Sequence, residues 1–533
     1  MSNTNISRKI IAANACWVML LAGASLSPAG VRAPLGVYAH VDVETAINSY
    51  TGSSAPTAAQ LHAYLRQIYM GLLTDPAVSG ITAGIHWDLI QLSPPDCNAQ
   101  DPNTCAPGTQ STDGYDYSYV EDVFVEAEAA QKSVQLILTP GVDSPSWLLA
   151  GIPSCDGLFT SAGTAPADCG KVTFTGFPEQ PHADGNVLPL PLNSVYVSAW
   201  NNFLKHIDKV YGSNAAFVSI AIAGPNCAST EIILPTTANG STQKQSGMPA
   251  DQAWIALIAH SFPQTTSYQN SNQVFIDQWR KTIETYENTF ANVTLFISPD
   301  SGDDLPALAP PPNNNKHFQA FLNDDCTPGS ADFMSCQSKA EILWYFINVS
   351  GPNGKAAQIG GMTASSSMTI GAAGMGIAGV KVLTTPTSFS PPLSPAFLGG
   401  AEFDKAVSDP STIQQEGCPD PKVGCPPYTV GVLTVEEAAY YVLTVFFNGT
   451  TAAAYYGGLS GPGAGVNGPA LMQYVELDYP DIQYAQNNPC ATLPSTIPGQ
   501  PSLQDLLNMA SYSLFGMAGQ STVLPPPSCP PAP

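Results

Sequence analysis

Residues 217–235 read FVSIAIAGPNCASTEIILP. The first seven, residues 217–223, form an apolar run typical of a strand that is buried on both faces. Gly224 and Pro225 end this run, and the carboxylate of Glu231 follows among small polar residues. In parallel α/β folds the loops after the strands carry the site, so this stretch predicts such a fold and a functional carboxylate.

The same unit, an apolar strand followed by a helical pattern, recurs along the chain. Eight strands that are each followed by a helix predict an α/β fold of the (β/α)8 TIM barrel type. Besides 217–223, the predicted strands are 37–41, 81–87, 133–139, 293–298, 356–363, 396–403 and 471–477. The predicted helices are 57–74, 117–131, 195–211, 272–290, 338–348 and 434–447.

Long loops follow the carboxyl ends of several predicted strands. They span residues 91–115, 140–193, 236–271 and 404–433. Long loops in a compact domain are usually functional, and a TIM barrel carries its site on the carboxyl-terminal face. We therefore expect the site among these loops.

The chain is acidic and sparsely charged. It has 17 Lys and Arg against 41 Asp and Glu, a formal net charge of −24, and only 11% charged residues. Such a surface repels phosphate backbones and anionic lipids, so the sequence argues against nucleic acid and membrane surfaces as partners. The 44% of hydrophobic residues is typical of a globular protein.

The first 33 residues have the pattern of a secretory signal peptide. Arg8 and Lys9 precede an apolar region that ends near Leu26, and small residues follow. Cleavage is expected after Ala24 or near Ala33, with an uncleaved anchor helix as the alternative. The predicted organisation is a signal peptide at 1–33, a catalytic barrel at 34–515 and a Pro-rich tail at 516–533, in a secreted or periplasmic protein.

Cysteine spacing agrees with export. Close pairs in Pro- and Gly-rich loops predict disulfides. The predicted pairs are Cys97–Cys105, Cys155–Cys169, Cys326–Cys336, Cys418–Cys425 and Cys490–Cys529, with Cys227 outside any disulfide. The sequence contains no CxxC motif and no histidines at ligand spacing, so neither a metal nor another cofactor is expected.

Polar and aromatic residues cluster at the carboxyl ends of the predicted strands. A barrel brings these positions together around one axis, and aromatic rings beside carboxylates are typical of a sugar-binding site. A carbohydrate is therefore the expected partner. The predicted substrate-binding residues are Tyr38, His40, His86, Trp87, Asp143, Trp147, Asn226, Asp300, Tyr474 and Glu476.

Glu231 after the fourth predicted strand and Glu402 at the end of the seventh form a candidate catalytic pair. This arrangement resembles the (β/α)8 glycoside hydrolases of clan A, and the GP…E…P run around Glu231 also resembles that of β-amylases. Unlike clan A, the chain lacks the Asn-Glu pair at the end of strand four. The resemblance implies that Glu231 is the acid and Glu402 the nucleophile or base. The clan A placement of Glu402 favours retention of the anomeric configuration, whereas the displaced Glu231 favours inversion.

Three other functions compatible with the sequence remain open. The first is a non-catalytic carbohydrate-binding or cell-surface protein on the same barrel, and the second is an inverting β-amylase-like hydrolase. The third is another kind of hydrolase that uses His40, Asp42 and His86, with or without a metal. The sequence contains no G-x-S-x-G elbow, P-loop or dinucleotide fingerprint, which argues against α/β-hydrolase esterases, ATPases and Rossmann dehydrogenases.

Overall fold

The computed structural model describes the amino-terminal two thirds of the chain almost continuously and shorter pieces beyond it. The described residues are 32, 34, 36–53, 55–94, 114–176, 186–227, 232–297, 305–308, 335, 337–339, 341, 342, 345, 368–372, 398–401, 474–490, 502–508 and 511. Residues 368–372 and 398–401 are described by their backbone alone.

The strands alternate with helices along the chain. The strands are β1 Gly36–Asp42, β2 Val78–His86, β3 Ser133–Thr139, β4 Lys171–Thr175, β5 Asn186–Pro189, β6 Phe217–Ala221, β7 Thr242–Gln243, β8 Thr294–Ile297, β9 Met368–Ala372, β10 Leu398–Ala401 and β11 Tyr474–Asp478. The helices are α1 Val43–Asn48, α2 Ala58–Leu73, α3 Trp87–Ile90, α4 Ser118–Ala129, α5 Ser146–Gly151, α6 Ser194–Tyr211, α7 Ala250–Ser261, α8 Gln273–Thr289 and α9 Tyr479–Asn487.

Eight strands form one sheet in the order β10-β9-β8-β6-β3-β2-β1-β11, and every neighbouring pair is parallel. This is the sequential order of a barrel. The edge strands β10 and β11 approach each other to within 8 Å between Cα atoms, so the sheet curls around on itself. The expected α/β barrel architecture is confirmed at this level.

The outer face of the sheet packs against the helices. Val37, Ala39 and Val41 of β1 are fully buried in the main core, which also contains the apolar faces of α2, α4, α6 and α8. Helix α2 begins with a capping box, in which Thr57 and Gln60 satisfy each other's backbone N–H groups. Burial of one face of each strand under amphipathic helices is the main source of stability in this architecture.

The inner face of the sheet has small apolar clusters of its own. Tyr38 packs against Val218, and Ile137 packs against Ala221 and Phe296, separately from the main core. Ile137 and Ala221 follow the alternation of side chains along a strand, whereas Val218 is the extra residue of β6 at a register shift between Val134 and Gln135 of β3.

A hydrogen-bonded group of side chains fills the centre of the inner face. Gln135 Nε2 donates to Thr82 Oγ1 at 3.0 Å and to Glu476 Oε1 at 2.9 Å, and Ser219 Oγ donates to Gln135 Oε1. All four residues are almost fully buried. Buried polar groups need such partners, and this group links β2, β3, β6 and β11 across the interior.

A small antiparallel sheet of β5, β4 and β7 lies outside the main one. The Asp156 carboxylate accepts hydrogen bonds from Thr173 N and Oγ1 in β4 and from Gln243 Nε2 in β7. The disulfide Cys155–Cys169 is present beside it, as predicted. The sequence interpretation treated residues 140–193 and 236–271 as loops, so it missed this sheet and helix α7.

Most of the predicted elements in the described ranges are confirmed within a few residues. The sixth place in the sheet is taken by Met368–Ala372, downstream of the predicted strand 356–363, which lies outside the described residues. The predicted helix 434–447 also lies outside them. None of the helices that the structure describes combines the length and the apolar character that a membrane span requires.

Arg32 lies against the amino-terminal side of the sheet. Its backbone N–H donates to Asn292 O at 3.1 Å, its Nη2 donates to Gly212 O, and its carbonyl accepts from Thr294 N at 3.1 Å. A chain cleaved after Ala24 keeps these bonds, whereas one cleaved after Ala33 loses them.

Candidate active site

The carboxyl ends of β1, β2 and β3 bring acidic side chains around His86. Asp42 ends β1 and lies opposite Gly84 of β2, while His86 ends β2 and lies opposite Thr139, the last residue of β3. Asp143 follows β3 by four residues, in a short 3-10 turn. Parallel strands end at the same edge of the sheet, which explains why residues so distant in sequence meet here.

The distances define a compact constellation. His86 Nδ1 lies 2.9 Å from Glu44 Oε2 and 3.6 Å from Asp143 Oδ1, and His86 Nε2 lies 3.9 Å from Asp42 Oδ2. Asp42 uses its other oxygen, Oδ1, to accept a 2.7 Å hydrogen bond from Thr45 N and thereby caps helix α1. Both edges of the imidazole therefore face carboxylates.

Exposure differs strongly among these groups. The side chain of Asp143 is 9% exposed, whereas those of Asp42 and Glu44 are 34% and 49% exposed. Asp143 therefore lies at the base of the constellation, while Asp42 and Glu44 reach solvent at its rim.

The electrostatics follow from this burial. Burial raises the pKa of Asp143 from 3.8 to about 7, although nearby His86 opposes the shift. Burial alone would lower the pKa of His86, but the surrounding carboxylates, led by Asp143, raise it above 6.5. Burial also raises the pKa of Asp88, which lies in the first turn of helix α3. The constellation thus holds a carboxyl group that can carry a proton near neutral pH beside an imidazole that favours its charged form.

Close backbone packing fixes the turn that carries Asp143. Gly141 has a φ of +75°, and a Cβ atom there would lie 1.8 Å from Cys227 O. Val142 N donates to the same oxygen at 2.6 Å, and Gly141 N donates to Tyr196 Oη at 3.1 Å. Only glycine combines this φ with such a close approach, so the turn after β3 is held directly against the segment after β6.

Two buried polar atoms at the base of the site are unsatisfied within the described part of the chain. They are Asp143 Oδ2 and Thr139 Oγ1, and apart from the interaction of the Thr139 side chain with the Asp143 carboxyl group neither has a hydrogen-bond partner there. Both residues are more than nine-tenths buried. Thr139 has the same strand parity as Gln135 and Ile137, so its hydroxyl belongs to the inner face. Buried polar atoms of this kind are rare in folded proteins and indicate a place that a ligand or water completes.

Several of the predicted substrate-binding residues meet at this mouth. His40 lies on the inner face of β1, and its Nε2 lies 3.4 Å from the position of a Cβ atom on Gly84. The backbone of Asn226 packs on Gly141, next to Asp143. Trp147, in α5, is half-buried and donates its ring N–H to Gln91 O at 3.1 Å.

Three predicted contacts need correction. Trp87 is fully buried in the outer core, where its ring packs against Trp200 and Phe203 of α6, because it follows inner-face His86 and therefore points outward. Tyr38 and Glu476 face each other in register deep in the interior, and both are 1% exposed. Tyr38 lies four residues below Asp42 on β1, roughly 13 Å from the strand end. These three residues support the barrel and do not line its mouth.

The remaining predicted residues fall outside what the structure describes. Glu231, Glu402 and Asp300 are not among the described residues, and Tyr474 is described by its backbone in β11 alone. Of the predicted disulfides other than Cys155–Cys169, only Cys490 is a described residue; it is disulfide-bonded to a partner outside the described ranges. Cys227 is buried and forms no disulfide.

The sequence interpretation missed Glu44 and Thr139. Glu44 has a recognisable signal, because it stands in the first turn of a helix capped by Asp42, directly after a strand end. Thr139 has the alternation of β3 as its signal. No group of three or more His, Cys, Asp or Glu residues in the described ranges is arranged to hold a metal ion.

Comparisons with known proteins add little. No family model matches the chain, and no curated protein sequence matches it. Among solved structures, the chain is similar to the catalytic domain of beta-amylase from Paenibacillus polymyxa, with 9% identity and a TM-score of 0.35, over 84% of this chain and 94% of that chain. A likeness with this TM-score carries no weight for fold or activity, and the fold rests on the strand pairing described above.

Proposed function

We propose that the protein is a secreted glycoside hydrolase that cleaves an oligo- or polysaccharide at the carboxyl-terminal mouth of the barrel. The observation that carries the proposal is the constellation around His86, with the buried and protonatable Asp143 at its base. Perturbed carboxyl groups in a concave site at strand ends are typical of catalytic and ligand-binding positions.

The constellation suits the hydroxyl groups of a sugar ring. Asp42 and Glu44 are partly exposed and offer acceptor oxygens at the rim. Asp143 offers an acceptor when ionised and a donor when protonated, and Thr139 offers both. Trp147 adds an apolar ring at the edge of the same loop, against which the C–H face of a sugar can stack.

Glu231 and Glu402 remain our catalytic pair. Support for Glu231 comes from the residues on either side of its segment, because Cys227 N donates to Ile233 O at 2.9 Å and Cys227 O contacts the turn of Asp143. Support for Glu402 comes from its position directly after Ala401, the last residue of β10. In the sequence, both residues come after strands of the main sheet, which is the position that supports them as the proposed pair.

The chemistry is a double displacement. Glu231 gives its proton to the glycosidic oxygen as the bond from that oxygen to the anomeric carbon breaks, and Glu402 forms a bond to that carbon. Glu231 then takes a proton from water, whose oxygen displaces Glu402 and restores the starting carboxylate. One water is consumed, and the anomeric configuration is retained. If the two carboxyl groups are about 6.5–9.5 Å apart instead, water attacks directly and the configuration is inverted.

The test is hydrolysis of a panel of α- and β-linked oligosaccharides by the full chain and its variants. We expect Glu231→Gln and Glu402→Gln to lose at least about a thousandfold in turnover while glycan binding is kept. Glu121→Gln, an exposed carboxylate on α4, is the matched control and should keep full activity. Proton NMR of the first product determines retention or inversion. Glycan binding by the unaltered protein without any turnover would identify a carbohydrate-binding protein instead and overturn the hydrolase.

A further inference from the structure

Among the described residues, the mouth carries more negative than positive charge. Asp143, Asp42, Glu44 and Asp88 all act electrostatically on His86. With His86 protonated and Asp143 neutral, the other three carboxylates leave a net charge of −2, and ionisation of Asp143 makes it −3. A neutral ligand leaves this excess uncompensated.

The base of the mouth independently offers buried polar atoms to a ligand. Thr139 Oγ1 and Asp143 Oδ2 are buried, and apart from the interaction of the Thr139 side chain with the Asp143 carboxyl group they have no hydrogen-bond partner in the described ranges. Together they offer a carboxyl oxygen and a hydroxyl oxygen, which can both accept hydrogen bonds from a group with several N–H donors. A protonated primary amine has three such donors and a positive charge.

Other ligands fit these observations less well. A uronic acid would bring a carboxylate next to Asp143, Glu44 and Asp88, and like charges at this range repel. A metal ion would need a ligand group that the described residues do not form. A neutral hydroxyl satisfies the oxygens at the base but gains nothing from the charge.

We infer that the glycan held at this mouth carries a protonated amine, so that the substrates are amino sugars of the glucosamine type rather than neutral sugars or uronic acids. The inference rests on the proposed function, since it concerns the glycan that this site would hold. The amine lies against Asp143 and Thr139, and the partly exposed carboxylates of Asp42 and Glu44 attract it from solvent.

The experiment compares ligands that differ in one group. Oligomers of glucosamine and of N-acetylglucosamine share a backbone, while oligomers of glucose replace the amine by a hydroxyl. Binding is measured by calorimetry with the full chain at about pH 6, where the sugar amine is protonated. We expect the glucosamine oligomer to bind at least about tenfold more tightly than either neutral oligomer, with a preference that falls as salt is added.

Two variants locate the effect. Glu44→Gln and Asp88→Asn each remove one charge at the mouth, and each should reduce the preference for the amine several-fold. Glu121→Gln removes the same charge on the outer helix α4 and should leave the preference unchanged. Effects of equal size in all three variants would show that net charge, not this mouth, attracts the amine, and would overturn the inference.

The outcomes separate the two proposals. Equal or tighter binding of the neutral oligomers, together with their hydrolysis, overturns the amine inference and leaves the hydrolase intact. Preferential binding of the glucosamine oligomer without turnover of any glycan supports the inference and overturns the hydrolase. If no glycan is bound or cleaved, both are wrong.

Discussion

Replacing Asp143 by Asn tests whether this buried carboxyl group holds a proton in the folded protein. Asn has nearly the shape of a protonated Asp but cannot ionise. Asp143 lies 3.6 Å from His86 Nδ1, and its side chain is 9% exposed. The variant therefore keeps the packing of the turn, removes the ability to gain and lose a proton, and also removes the negative charge that helps to raise the pKa of His86.

The size of the effect follows from the pKa of Asp143, which burial raises from 3.8 to about 7. Between these values the folded protein keeps the proton while the unfolded chain has lost it, so the stability due to this group falls as pH rises through the window. The window is about three pH units wide, and each unit corresponds to 1.36 kcal/mol. Ionising the buried group therefore costs the native protein about 4 kcal/mol above pH 7.

The measurement is the free energy of unfolding of both proteins, by urea titration at several pH values from about 4 to about 8. The two proteins should be similar at the acid end, and Asp143→Asn should gain about 4 kcal/mol relative to the unaltered chain toward the alkaline end. Asp168→Asn, in an exposed turn, controls for the loss of one carboxylate. A stability difference between Asp143→Asn and the unaltered chain that does not change with pH, or that changes in the opposite direction, would refute the raised pKa.

Two further predictions concern the elements that hold the site. Gly141→Ala should lower the free energy of unfolding by more than about 2 kcal/mol and reduce glycan binding, because the alanine would have a positive φ and its Cβ atom would clash with the backbone of Cys227. Gly163→Ala is the control: its φ is +61° and nothing lies near its Cβ position, so it measures the cost of the positive φ alone. Replacing both Cys155 and Cys169 by Ser should lower the free energy of unfolding, measured by urea titration, by about 3 kcal/mol, the value expected for a loop of this length.

Local patterns were sufficient to predict most of the main sheet. The strand at 133–139 and the helices near 57–74 and 195–211 have clear apolar runs or helical spacing, and the structure forms them within one residue. The sixth strand, MTIGA, is short and lies in a segment rich in Gly, Ala and Ser. Its place in the sheet depends on its partners β8 and β10, which no local pattern encodes.

The small sheet and the helix in the segments after β3 and β6 were harder to predict for a different reason. Strand β4 has five residues and pairs with β7, which is 67 positions away at Thr175 and Thr242. Short strands with distant partners leave little signal in the sequence. Helix α7 did have a signal, because Ala250, Ala253, Trp254 and Leu257 follow helical spacing and are buried. The Pro- and Gly-rich flanks obscured it.

The site residues show which sequence rules are strong. His86 and Trp87 are consecutive at a strand end, so the alternation of side chains allows only one of them to face the mouth. Predicting both as substrate contacts ignored this rule, and the structure assigns the mouth to His86. By contrast, no rule of local sequence could predict the environment of Asp143. Its burial depends on Gly141 packing against Cys227, which follows a strand about 80 residues later. Its electrostatics depend first on His86 and to a smaller extent on Glu44, almost 100 residues earlier. A carboxyl group acquires such a pKa only from tertiary contacts, so its type and position can be read from sequence while its protonation cannot.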